Sequence, residues 1–150
     1  MRILAVVLIV VALSLIYVPA ARDTVWLAVP LAGLAVLLVA GLALAVASLN
    51  AIYRDVEHVI AALLLPWFFL TPVLYSLETI PGVSEYPRLV DVVHWGNPLT
   101  PAIEAVRDPL FFGELPSVGD TVYLVVAAVV ALAVGAFVFS RVDDRVAVEV

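Results

Sequence analysis

The chain has 150 residues, 65% of them hydrophobic and 13% charged, with a formal net charge of −6 and a mean hydropathy of +1.20. A soluble domain of this size is nearer ~45–50% apolar, so the composition excludes an ordinary soluble protein and indicates a membrane protein. All seven basic residues are Arg and no basic stripe is possible, which excludes nucleic acid as a partner; the absence of cysteine excludes a disulfide framework and a thiolate metal site.

Residues 3–20 form an apolar run without charge and predict a first membrane span. A cleavable signal peptide is the alternative for this run, with Arg2 ahead of it and the small residues Val18 and Ala20 at its end. Residues 26–49 predict a second span, whose 24 residues extend ~36 Å at 1.5 Å per residue, enough to cross a ~30 Å hydrocarbon core with tilt. Gly33, Gly41, Ala43, Ala45 and Ala47 give this span small surfaces on which another helix can approach closely.

"LNAIYRDVEHV" then predicts a charged turn, because Arg54, Asp55, Glu57 and His58 are too costly to leave in lipid, at ~2.5–3.5 kcal/mol per charge near the midplane. His58 is remote from the second histidine and lacks paired carboxylates, so no metal site is expected there. A third span is expected over 59–77, bent at Pro66 and Pro72 and carrying Trp67, Phe68, Phe69 and Tyr75. "ETIPGVSEYPRL" reads as an exposed turn, and "PRLVDVVHWGN" as a short helix with Leu89, Val92 and Val93 on one side.

Asn97-Pro98 begins a further turn, with Thr100 as the expected N-cap and Pro101 as the first residue of another short helix. Leu99, Ile103, Val106 and Leu110 share one face of that helix, and Glu104, Arg107 and Asp108 the other, with Glu104 and Arg107 spaced as an ion pair. About a dozen residues cannot span, so an interfacial or re-entrant helix is expected, charged side to water or a cavity. Residues 121–140 predict the fourth span. Placing Arg2, Arg54, Arg141 and Arg145 inside and Arg22, Arg88 and Arg107 outside gives a cytoplasmic location to both termini by the positive-inside rule. No phosphate-binding loop ending in Lys exists, and no catalytic constellation assembles, so an enzyme is not expected.

"SLNAIYRDVEHVIAALLLPWFFLTPVLYSLETIP", "NPLTPAIEAVRD" and a last span ending "VGAFVFSRVDDRVAV" together resemble the carboxy-terminal half of type-2 ABC exporter permeases. The resemblance is strongest to exporters of lipid-linked O-antigen and teichoic-acid chains, and Pro66 departs from it. It implies an all-α, polytopic fold with about four transmembrane helices and short re-entrant or interfacial helices before the last. It also implies that residues 1–150 are a partial permease domain lacking the family's first two spans.

By this likeness the chain is a plasma-membrane permease subunit that moves lipid-linked polysaccharide or polyol phosphate, works as a homodimer or with a second permease chain, and holds no cofactor. ATP would be hydrolysed on a separate ABC ATPase. Tyr53, Arg54, Asp55 and Glu57 would couple to that ATPase, and Phe68, Phe69 and Tyr75 would line the translocation path. Asn97, Thr100, Glu104 and Arg107 would form an outer gate. The alternatives are a permease for drugs or small lipids and a non-transporting membrane scaffold.

Overall fold

The computed structural model describes residues 2–75, 79 and 85–146, with side chains over 9–75, 79 and 85–142. Among these residues the protein is all helix. Its elements are α1 (Arg2–Tyr17), a 3₁₀ turn (Pro19–Asp23), α2 (Val25–Ile52), α3 (Val56–Leu70), α4 (Pro87–Gly96), α5 (Leu99–Arg107), a π turn (Asp108–Phe112) and α6 (Val118–Val146).

Two of these helices, α2 and the Val118–Val142 part of α6, are long and apolar enough to cross a membrane. The first and third expected spans are shorter helices of 16 and 15 residues. At 1.5 Å per residue α3 extends ~22 Å, less than a ~30 Å hydrocarbon core. Its early end has a local cause: Pro72 disfavours helical backbone at the residue before it, and Thr71 is extended at φ −86°, ψ 125°. Pro66 stays inside the helix and does not break it. Residues 76 and 77 of the expected third span, and residues 78 and 80–84 of the Pro- and Gly-rich turn after it, lie outside the described residues.

Helices α2 and α6 lie side by side and run in the same direction. Gly41 packs on the backbone of Ala131 and Leu132, and one turn further on Gly135 packs on Gly41 and Leu44. A Cβ on Gly41 would come within 2.5 Å of the Ala131 carbonyl carbon, so only glycine permits this separation. Of the small residues in the second span, Gly41 makes this contact, whereas Gly33 faces open space.

Helix α5 wedges against the starts of this pair. Ala102 and Ala105 join Leu31, Leu38, Leu124 and Ala128 in the core, with Leu99 and Val106 partly buried against them. The deepest face of α5 therefore consists of small residues, with Thr100 and Pro101 fully buried beside them. Of the expected bulky stripe, Leu99, Ile103 and Val106 form only the margin of this face and Leu110 is buried in the π turn beyond it, because a short helix seated between two others can approach closely only where its side chains are small.

A parallel pair needs a return path between its members. Helix α3 and the stretch after it supply it, so that α4, α5 and the π turn gather at the end where α2 and α6 begin. Thr24 donates to the Pro109 carbonyl (2.9 Å) and Ser14 to the Leu110 carbonyl, tying the ends of α1 and the start of α2 to the π turn. Gly113, at φ +70°, ends that turn against Ala20, in a left-handed conformation that a side chain would strain.

Candidate functional site

The Asn97-Pro98 turn sits at the centre of a polar junction. Helix α5 begins at Leu99, one residue before the expected Thr100 cap, and it is Asn97 that satisfies its first donor: Leu99 N–H donates to Asn97 Oδ1 (3.1 Å). The same oxygen accepts from Trp67 Nε1 (2.9 Å), while Asn97 Nδ2 donates to Thr71 Oγ1 (2.7 Å). Thr71 Oγ1 in turn donates to the Trp67 carbonyl (2.8 Å). Asn97 and Thr71 are both buried. One amide thus joins the broken end of α3 to the start of α5. Thr100, whose hydroxyl has no hydrogen-bond partner among the described residues, contributes packing rather than a cap.

Arg107 continues the junction. Its Nη1 lies 3.4 Å from the carbonyl oxygens of both Pro72 and Tyr75, and its Nη2 lies 3.5 Å from Glu104 Oε1. The expected Glu104–Arg107 pair is formed, yet neither side chain faces open water: their side-chain exposures are 16% and 18%. The guanidinium grips main-chain oxygens left free by the interrupted helix, which is how backbone freed inside a membrane protein must be satisfied.

From Glu104 the chain of contacts runs to His94, whose Nδ1 is 3.3 Å from Glu104 Oε2, and on to Asp120, 2.7 Å from His94 Nε2. Burial pushes the Glu104 carboxyl above the usual carboxylate range; His94 and Arg107 pull it down, and Asp120 and Asp108 push it up. One donor atom from each of His94, Glu104 and Asp120 falls within 4.8 Å of the others. The carboxylates, however, meet opposite nitrogens of the ring, so the imidazole bridges them and does not share a chelate with them. Next to it Trp95 tilts against Tyr123, ring centroids 5.6 Å apart, and the Tyr123 hydroxyl donates to the Trp95 carbonyl (2.8 Å).

The other expected site residues are dispersed. Tyr53, Arg54 and Asp55 lie exposed in the turn after α2 and Glu57 exposed in the first turn of α3, separated from the junction by the length of α2. Asn50 braces this turn by accepting from Glu57 N–H (3.1 Å). Phe68 lines a 750 Å³ apolar groove between α2 and α3, with Leu42, Val46, Leu64 and Trp67 among its walls and Leu99 and Ile103 at one end. Phe69 is not part of that wall, so the two rings, 5.7 Å apart and edge to face, do not form one surface. Tyr75 donates its hydroxyl to the Phe69 carbonyl (2.9 Å) and offers its own carbonyl to Arg107.

Sequence reasoning overlooked Trp67, Thr71, His94 and Asp120 as members of the junction. For Trp67, Thr71 and His94 the signal available was a polar group flanked by apolar residues, and for Asp120 a carboxylate at the mouth of an apolar span; in lipid each must find a partner.

Comparison with known proteins places these residues in context. A family model described as "ABC-2 type transporter" matches residues 1–111. The O-antigen export system permease protein RfbA of Myxococcus xanthus is 30% identical over 93 residues, covering 62% of this chain and 34% of that protein. The matched region is thus about a third of the length of this curated relative. No solved structure matches.

Proposed function

Since the chain belongs to the ABC-2 type transporter family, we propose that it forms membrane-spanning permease structure in an ATP-driven exporter of lipid-linked polysaccharide or polyol phosphate. The observation that carries this reading is the 30% identity to an O-antigen export permease, across 62% of the chain. Membership of the family supports an ABC ATPase partner as the place of ATP hydrolysis, and these 150 residues, free of lysine, hold no phosphate-binding loop of the Gly-Lys type. Tyr53, Arg54, Asp55 and Glu57, exposed together where the turn after α2 enters α3, supply the docking surface for that partner. Two copies, or one copy and a second permease chain, enclose the path in the plasma membrane, with both termini cytoplasmic. Phe68 faces that path, and the junction around Asn97, Glu104 and Arg107 gates its outer end.

The test is purification of the tagged chain from its native membrane. An ABC ATPase should copurify, and Arg54→Glu should sharply reduce its recovery. Phe68→Ala should lower glycan export in cells at unchanged protein level. Recovery without any ATPase would rule out the exporter reading. Normal glycan export by Phe68→Ala, with impaired extrusion of a hydrophobic dye, would move the cargo to small molecules.

A further inference from the structure

Counting hydrogens around His94 leads to a conclusion that does not depend on the cargo. Both ring nitrogens face carboxylate oxygens, Nε2 at 2.7 Å from Asp120 and Nδ1 at 3.3 Å from Glu104. An ionised carboxylate only accepts, and a neutral imidazole has a single N–H. With neutral His94 and both acids ionised, one of these contacts sets a bare nitrogen lone pair against an anion. Adding one proton makes the Asp120 contact a charge-assisted hydrogen bond and the Glu104 contact an attractive ion pair.

Charge gives the same answer. The groups facing His94 are Glu104, with Arg107 and Asp108 beside it on the α5 side, and Asp120 from the first turn of α6. Without the proton, Glu104, Asp120 and Arg107 sum to −1 before Asp108 is counted; with an imidazolium they sum to zero. The three bridging side chains are 16%, 16% and 7% exposed, so water screens little of that difference.

We propose that His94, Glu104 and Asp120 form a proton-binding site, occupied as an imidazolium at His94, that latches α4 and α5 to the start of α6. Loss of the proton turns one arm of the bridge from attractive to repulsive. The contact that holds the short helices on α6 is then present at low pH and weakens as pH rises. The short helices thereby take a setting from the proton activity at their end of the membrane.

The experiment is side-chain ¹⁵N NMR of histidine-labelled full chain in lipid nanodiscs, with exposed His58 as the internal reference. An unperturbed histidine is about nine-tenths neutral near pH ~7.5. At that pH His94 should carry protons on both nitrogens. Glu104→Gln, an isosteric change whose amide can donate to Nδ1, should render His94 neutral under the same conditions. Circular dichroism and gel filtration of this variant establish that it is folded; should it not be, Asp120→Asn serves in its place with the same expected loss of the ring proton. A wild-type His94 with a single N–H at this pH overturns the proposal, as does a ring state unchanged in the folded variant. Displacement of the ring protons by equimolar zinc chloride also overturns it, because the residues would then be metal ligands.

Discussion

Three hydrogen bonds meet on the Asn97 side-chain amide, and a fourth on its backbone carbonyl. The amide accepts from the indole of Trp67 and the backbone of Leu99 and donates to Thr71, and the backbone carbonyl receives Thr100 N–H (3.0 Å). Replacement by Ala strands two part-buried donors, Trp67 Nε1 and Leu99 N–H, where a fully buried unsatisfied donor costs about 1–3 kcal/mol. Asn97→Ala should therefore lower the thermal midpoint of the purified chain by several degrees. Asn97→Asp keeps the acceptor but not the donor to Thr71, and should fall between the two. Equal midpoints for Asn97→Ala and wild type in the same nanodisc would dissociate this network from stability.

At the scale of helices, contact between α2 and α6 sets the geometry of everything else. Gly41→Ala gains about 1 kcal/mol of intrinsic helix preference. Against this, its Cβ would lie 2.5 Å from two backbone atoms of α6, which cannot rotate away as a side chain can. Overpacking of this kind costs about 1–3 kcal/mol, so the clash outweighs the propensity. Gly41→Ala should destabilise, while Gly33→Ala, with no atom within 4 Å of its Cβ, should be neutral or mildly stabilising. Thermal unfolding of the pair of variants decides the point.

Much of this helical plan was legible in the sequence. Long uncharged runs announce α2 and α6 because a helix in lipid satisfies its own backbone. The end of α3 at Leu70 was misjudged because apolar residues continue past Thr71-Pro72 while the backbone does not. The Thr100 cap failed because Asn97 competes better for the first free donor. The His94–Asp120 contact joins residues 26 apart in the chain, and no local pattern encodes the fold-back that brings them together.

For the whole molecule, the parallel course of α2 and α6 sets the turn at Tyr53–Val56 and the Asn97 junction at opposite ends. The chain is free of cysteine, which makes single-cysteine labelling unambiguous. In sealed vesicles, a membrane-impermeant maleimide should reach Asp55→Cys from one face and Asp23→Cys from the other. Labelling of both from the same face would contradict an arrangement in which α2 crosses the bilayer. Arg107 carries a last implication. It holds the stretch after α3 by the oxygens of Pro72 and Tyr75 and so reads no side chain there. Val73 and Leu74, both exposed, can be exchanged without loosening that grip. A lineage could therefore retune what rubs against this rim while its hinge pin stays in place.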